Sequence, residues 1–157
     1  MALPEFELES FLPYRLNRAA EFIALRFAAQ YKARYQLTRP EWRTLAALGS
    51  SGRSMTATEI GVHSSMHKTK VSRAVFGLEQ RRWLKREEDG RDRRLEHLAL
   101  TPAGLSAYGE LTELARAYQA ELSTTLGADN MKALSKGLRA VERAIVRSAG
   151  YARPSKI

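Results

Sequence analysis

The sequence predicts a mainly α-helical chain interrupted by one small β-hairpin, and three observations support that fold class. Apolar residues recur at intervals of three and four over long stretches at both ends of the 157-residue chain, the spacing of helices with one buried side. Two Thr-x-x-Glu spacings, Thr38 with Glu41 and Thr56 with Glu59, mark helix starts in the first half. Asp89-Gly90 sits between two short runs, 84–88 and 95–100, and that dipeptide favours a tight reversal between antiparallel strands.

Each element follows in order. The first helix spans about 13 to 35, with Leu16, Ala20, Ile23 and Phe27 on one stripe. Thr38, Pro40 and Glu41 open a second, where proline's missing N–H costs nothing in the first turn. Trp42, Leu45 and Leu48 form its buried side, and 49-GSSGRS-54 reads as the turn that ends it. Thr56 and Glu59 start a short third helix, TATEIGVHS. After a polar break at Ser64 and Ser65 comes KTKVSRAVFGLEQRRWL, with Val71, Val75 and Leu78 on one face. The charged tip of the following hairpin is compatible with a loop longer than two residues. Thr101 and Pro102 cap a fifth helix bearing Leu105, Tyr108, Leu111, Leu114, Ala115, Tyr118 and Leu122. Met131, Leu134, Leu138, Val141 and Ile145 then give a short heptad seam. A three-helix unit with a two-stranded wing, set between helical outer segments, is a winged helix-turn-helix arrangement.

Composition narrows the function. Hydrophobic residues make up 44% and charged residues 27%, as in ordinary globular domains. No apolar run is long enough for a bilayer, and the acidic start MALPEFELES lacks the order of a secretion signal. A cytoplasmic location is expected. With no cysteine, thiolate metal sites and thiol switches are excluded. The formal charge of +9 favours a polyanionic partner. That charge is concentrated. Residues 67–94 hold ten basic and five acidic side chains, and 132–157 hold seven and one.

The second helix of a helix-turn-helix enters the major groove by its N-terminal side chains. Lys68, Thr69, Lys70, Ser72 and Arg73 are all able to bond bases or phosphates there, although a solvated face is the commoner fate of any single lysine or arginine. In 87-EEDGRDRRLEHLALT-101, Arg91, Arg93 and Arg94 suit the negative potential of a minor groove. Asp92 is placed to orient one of those guanidiniums. The alternative is a solvated loop of weak ion pairs, but such a loop has no need of arginine three times and lysine never.

The runs TATEIG, KTKVSRAV-x-x-LE-x-R-x-WLKR, DGRDRR and L-x-LTPAG together resemble the MarR family of bacterial winged-helix regulators. The motif order is matched over about 38–106, and the outer helices match only in arrangement. The resemblance implies an N-terminal dimerisation helix over 1–36, a DNA-binding region over 37–100 and C-terminal dimerisation helices over 101–157. It implies a homodimer on a palindromic double-stranded operator, a repressor released by a small aromatic or phenolic acid, and a ligand pocket between the dimerisation helices and the winged region. The family's cysteine-based oxidant sensing is excluded here. Tyr14, Arg15, Arg18 and Trp42 mix rings with guanidiniums, as a pocket for an aryl carboxylate requires. Core packing for Trp42 and dimer ion pairs for Arg15 and Arg18 are the plainer roles.

Other classes fit less well. His63 and His67 stand four apart, but the break at Ser64 and Ser65 separates them and no third ligand is near. No phosphate-cradling glycine loop or nucleophile elbow occurs, so neither catalysis nor a cofactor is expected. A basic membrane-surface helix would leave both capping boxes and the wing unexplained. A ligand-independent architectural DNA-binding protein remains the alternative, and a basic module for acidic protein or lipid a third.

Overall fold

The computed structural model describes residues 6–88, 90, 92 and 96–149, without the side chains of 88 and 146–149. The chain forms two compact units, residues 1–37 and 38–157.

In the first unit a single 3-10 turn, Leu8–Ser10, precedes helix α1, Leu12–Tyr35. Gln36 ends α1 in the left-handed conformation and returns its N–H to the Lys32 carbonyl at 2.8 Å. The expected stripe is only partly covered. Phe27 and Tyr31 are buried, with ring centroids 5.3 Å apart, edge to face. Leu16 is half-buried, whereas Ala20 and Ile23 are exposed, as are Phe22 and Leu25.

The second unit begins with α2, Arg39–Ser51, and both halves of its capping box form. Thr38 Oγ1 accepts from the Glu41 N–H at 3.4 Å, and Glu41 Oε2 accepts from the Thr38 N–H at 2.7 Å. Glu41 is 8% exposed, and its other oxygen lies 3.8 Å from Arg81, just past the end of α4. One carboxylate thus caps α2 and ties it to α4. The helix outlasts the turn expected from Gly49. The Ser50 and Ser51 hydroxyls donate back to the carbonyls of Ala47 and Leu48, and the chain reverses only at Gly52, where φ is 63° and a side chain would be strained. Leu45 and Leu48 are buried as expected, together with Thr44 and Ala47, but Trp42 is only half-buried.

Helix α3, Ala57–Ser64, carries the second complete box, Thr56 with Glu59. Arg53 donates to Glu59 at 2.9 Å. This bond, followed by the Thr56 N–H, holds the Glu59 carboxyl below the usual range. Ser65, with φ 50°, makes the turn into α4, Lys68–Gln80. Strands β1, Leu84–Glu88, and β2, Glu96–Leu100, pair antiparallel from Leu84 opposite Leu100 to Glu88 opposite Glu96. Seven residues, 89–95, separate the two strands. Met55 adds an unforeseen bridge, exchanging backbone bonds of 3.0 and 2.8 Å with Leu98. Leu45, Ile60, Leu78, Leu98 and Leu111, all 2% exposed or less, come from five different elements and form the centre of this unit's core.

Thr101 caps α5, Pro102–Leu126, accepting the Gly104 N–H at 3.1 Å while donating to the Arg82 carbonyl at 2.7 Å. Gly104 packs directly on the Trp83 carbonyl, where a Cβ would stand 2.0 Å from the oxygen. Of the expected stripe on α5, Leu111 and Tyr118 are buried, and Leu105 points outward at 54% exposure. In α6, Ala128–Ala149, the whole seam from Leu134 to Ile145 is exposed.

Candidate nucleic-acid interface

The two faces of α4 differ sharply. Val71, Ala74, Val75 and Leu78 are buried, and at about 100° per residue they define one side of the helix. Thr69, Ser72 and Arg73 fall on the opposite side, with Lys68 and Lys70 flanking them in the first turn, and all five are exposed. The structure thus brings together the five α4 residues singled out from the sequence. His67 caps the helix, its Nδ1 accepting the Thr69 N–H at 3.4 Å. The positive end of the helix dipole at this N-terminus adds to the attraction for phosphate.

The neighbouring acids are largely engaged. Glu79 accepts from Arg86 Nε at 2.7 Å, and Glu96 accepts from Arg86 Nη1 at 2.5 Å. These two hydrogen bonds hold the Arg86 guanidinium more firmly protonated than an ordinary arginine. They also fasten the base of the hairpin to α4. Of the wing residues singled out, Arg91, Arg93 and Arg94 lie outside the described residues, and Asp92 is exposed.

A cavity of about 400 Å³ opens between α2, α3 and α5. Its walls include the Trp42 and Tyr108 rings, Arg43, His63 and Thr112. This explains why Trp42 is only half-buried. Tyr14, Arg15 and Arg18 belong to the first unit, where Arg18 lies over the rings of Tyr14 and Phe22 on its own helix, at 5.5 and 5.7 Å. Arg43 donates to the carbonyl of Ser64, at the end of α3 and directly before the turn into α4. The sequence offers only weak signals for this site: Tyr108 reads as part of an apolar stripe, and His63 as one of two histidines separated by the break at Ser64 and Ser65. His63 and His67 serve different elements, one in the cavity wall and one as a cap.

A capped helix pair, a reading helix with a polar outer face and a hairpin locked to it define a winged helix-turn-helix protein. Residues 35–95 match the sequence profile of the MarR family. No curated protein matches the chain by sequence. Among solved structures, a MarR-family transcriptional regulator from Silicibacter pomeroyi is 25% identical, with a TM-score of 0.72 over 92% of this chain and 97% of its own. The transcriptional repressor CouR, bound to a 23-mer DNA duplex, is 27% identical, with a TM-score of 0.75 over 90% and 99%. Bordetella bronchiseptica BpsR, whose DNA binding is regulated by 6-hydroxynicotinic acid, shares the fold at 21% identity, with a TM-score of 0.76 over 88% and 97%. The profile match and these likenesses together support a DNA-binding regulator similar to those of the MarR family. Among the described residues, no helix is long and apolar enough to cross a membrane.

Proposed function

We propose that the protein is a homodimeric repressor that grips a palindromic operator and lets go when a small aromatic acid binds. The observation that carries this reading is the outward face of α4, where five hydrogen-bonding side chains stand exposed opposite a fully buried side. Thr69, Lys70 and Arg73 select bases, while Lys68 and Ser72 hold phosphates. Arg91, Arg93 and Arg94 enter the adjoining minor groove, with Asp92 directing one of them. Selection from random duplexes should return one palindromic site. Arg73→Ala should then relax preference at one or two base pairs, and Lys68→Ala should weaken all duplexes alike. Uniform, salt-sensitive binding to every duplex would instead favour an architectural role.

Dimerisation covers the exposed seam of α6 and the exposed apolar residues of α1. The effector occupies the Trp42 cavity, whose size and mixed lining suit a ring bearing a carboxylate. A carboxylate that draws on Arg43 competes with the Ser64 carbonyl and so alters the turn that aims α4. Release requires only that the ligand prefer the altered geometry. Thermal shift against a panel of phenolic and aryl acids, with operator titrated alongside, tests this. At ligand concentrations a hundredfold above Kd the gain should be about 2.7 kcal/mol, and Arg43→Ala should abolish it. A panel that neither raises melting nor frees DNA defeats the sensing claim.

A further inference from the structure

Phe76 takes no part in the contacts assigned so far, although it occupies the middle of the outward face of α4. Its side chain is 62% exposed, and none of the helix's buried residues lies on its side. On a helical projection it falls between Ser72, one turn before it, and Thr69, two turns before it, with Gln80 one turn beyond. A large ring presented to water on a surface otherwise built of lysine, arginine, serine and threonine gains nothing for folding. Polar side chains of that kind satisfy phosphates and the hydrogen-bonding edges of bases. They do not match the one apolar group that the major groove displays, the C5-methyl of thymine. We infer that Phe76 is a specificity-determining residue that packs its ring on a thymine methyl in the operator. The inference rests on the DNA-binding reading of α4 and adds to it a contact that carries no charge. The surrounding Lys68, Lys70 and Arg73 supply the charge complementarity that brings the ring to the groove.

The test replaces each thymine of the selected duplex in turn with deoxyuridine, which removes only the methyl group. Wild-type protein should lose about fourfold in affinity at one thymine per half-site, the loss expected for one buried methyl. Phe76→Ala should bind the unmodified site more weakly and be indifferent to that replacement. Phe76→Leu, still apolar, should keep part of the sensitivity. Installing 5-methylcytosine at a cytosine in the same position should recover affinity in wild type alone. Equal responses of wild type and Phe76→Ala at every thymine would overturn the proposal while leaving site selection intact. A Phe76→Ala chain that changes oligomeric state instead of methyl dependence would assign the ring to a protein contact and overturn it too. Wild-type protein that selects no duplex would overturn the DNA-binding reading and this inference together.

Discussion

A Leu138→Glu chain is expected to sediment as a folded monomer and to bind the selected operator about 100- to 10,000-fold more weakly than wild type. Leu138 is 41% exposed, so a carboxylate there meets water in the single subunit and leaves the core of residues 38–157 untouched. In a dimer the same position sits mid-seam, between Leu134 and Val141, where an unpaired charge would be stripped of water at prohibitive cost. Separating the subunits turns the second half-site contact from an intramolecular event into an independent one. The expected loss is what linking two modules ordinarily contributes. Lys136→Glu, on another side of α6, serves as the control and should remain dimeric. A Leu138→Glu chain that stays dimeric would place the subunit contact elsewhere.

Gly104→Ala should have the largest effect on stability, about 3 kcal/mol of destabilisation, which for a chain of this size lowers the melting midpoint by roughly 10 °C. The added Cβ would meet the Trp83 carbonyl oxygen at 2.0 Å and its carbon at 2.9 Å. That carbonyl cannot retreat freely, because it accepts the Thr101 N–H at 3.0 Å while Thr101 is itself anchored to Arg82. The strain therefore passes into the junction that joins the hairpin to α5. Gly109, in the same helix, has nothing within 4 Å of the point where a Cβ would stand. Gly109→Ala should raise stability by up to about 1 kcal/mol, as expected for removing glycine from a helix interior. Differential scanning calorimetry of the pair checks the contrast. Similar shifts for both would remove the close approach as the cause.

What could be read before the structure was what depends on neighbours in the chain. Both capping boxes, the Thr101 cap and the polar face of α4 are set by spacings of two to four residues, and all appear as expected. The end of α2 could not be read that way. Gly49 looks like a turn residue, but two serine hydroxyls bonded back along the helix carry it on to Ser51. The Met55 bridge rests on one residue, too short a run for any pattern. The cavity depends on three helices converging, so neither Tyr108 nor His63 announces it. Of the four residues singled out for an effector, Trp42 lines this cavity beside Arg43, and Tyr14, Arg15 and Arg18 belong to the first unit.

Arg86 does more than neutralise two acids. By joining Glu79 on α4 to Glu96 on β2, it makes the reading helix and the root of the hairpin a single rigid gauge. On the proposed reading, the distance between the two grooves met by one subunit would then be set in advance, like the gap of a set caliper. An operator would tolerate a change in the spacer between its halves, an interval measured by two separate bodies, better than a base pair gained or lost inside a half.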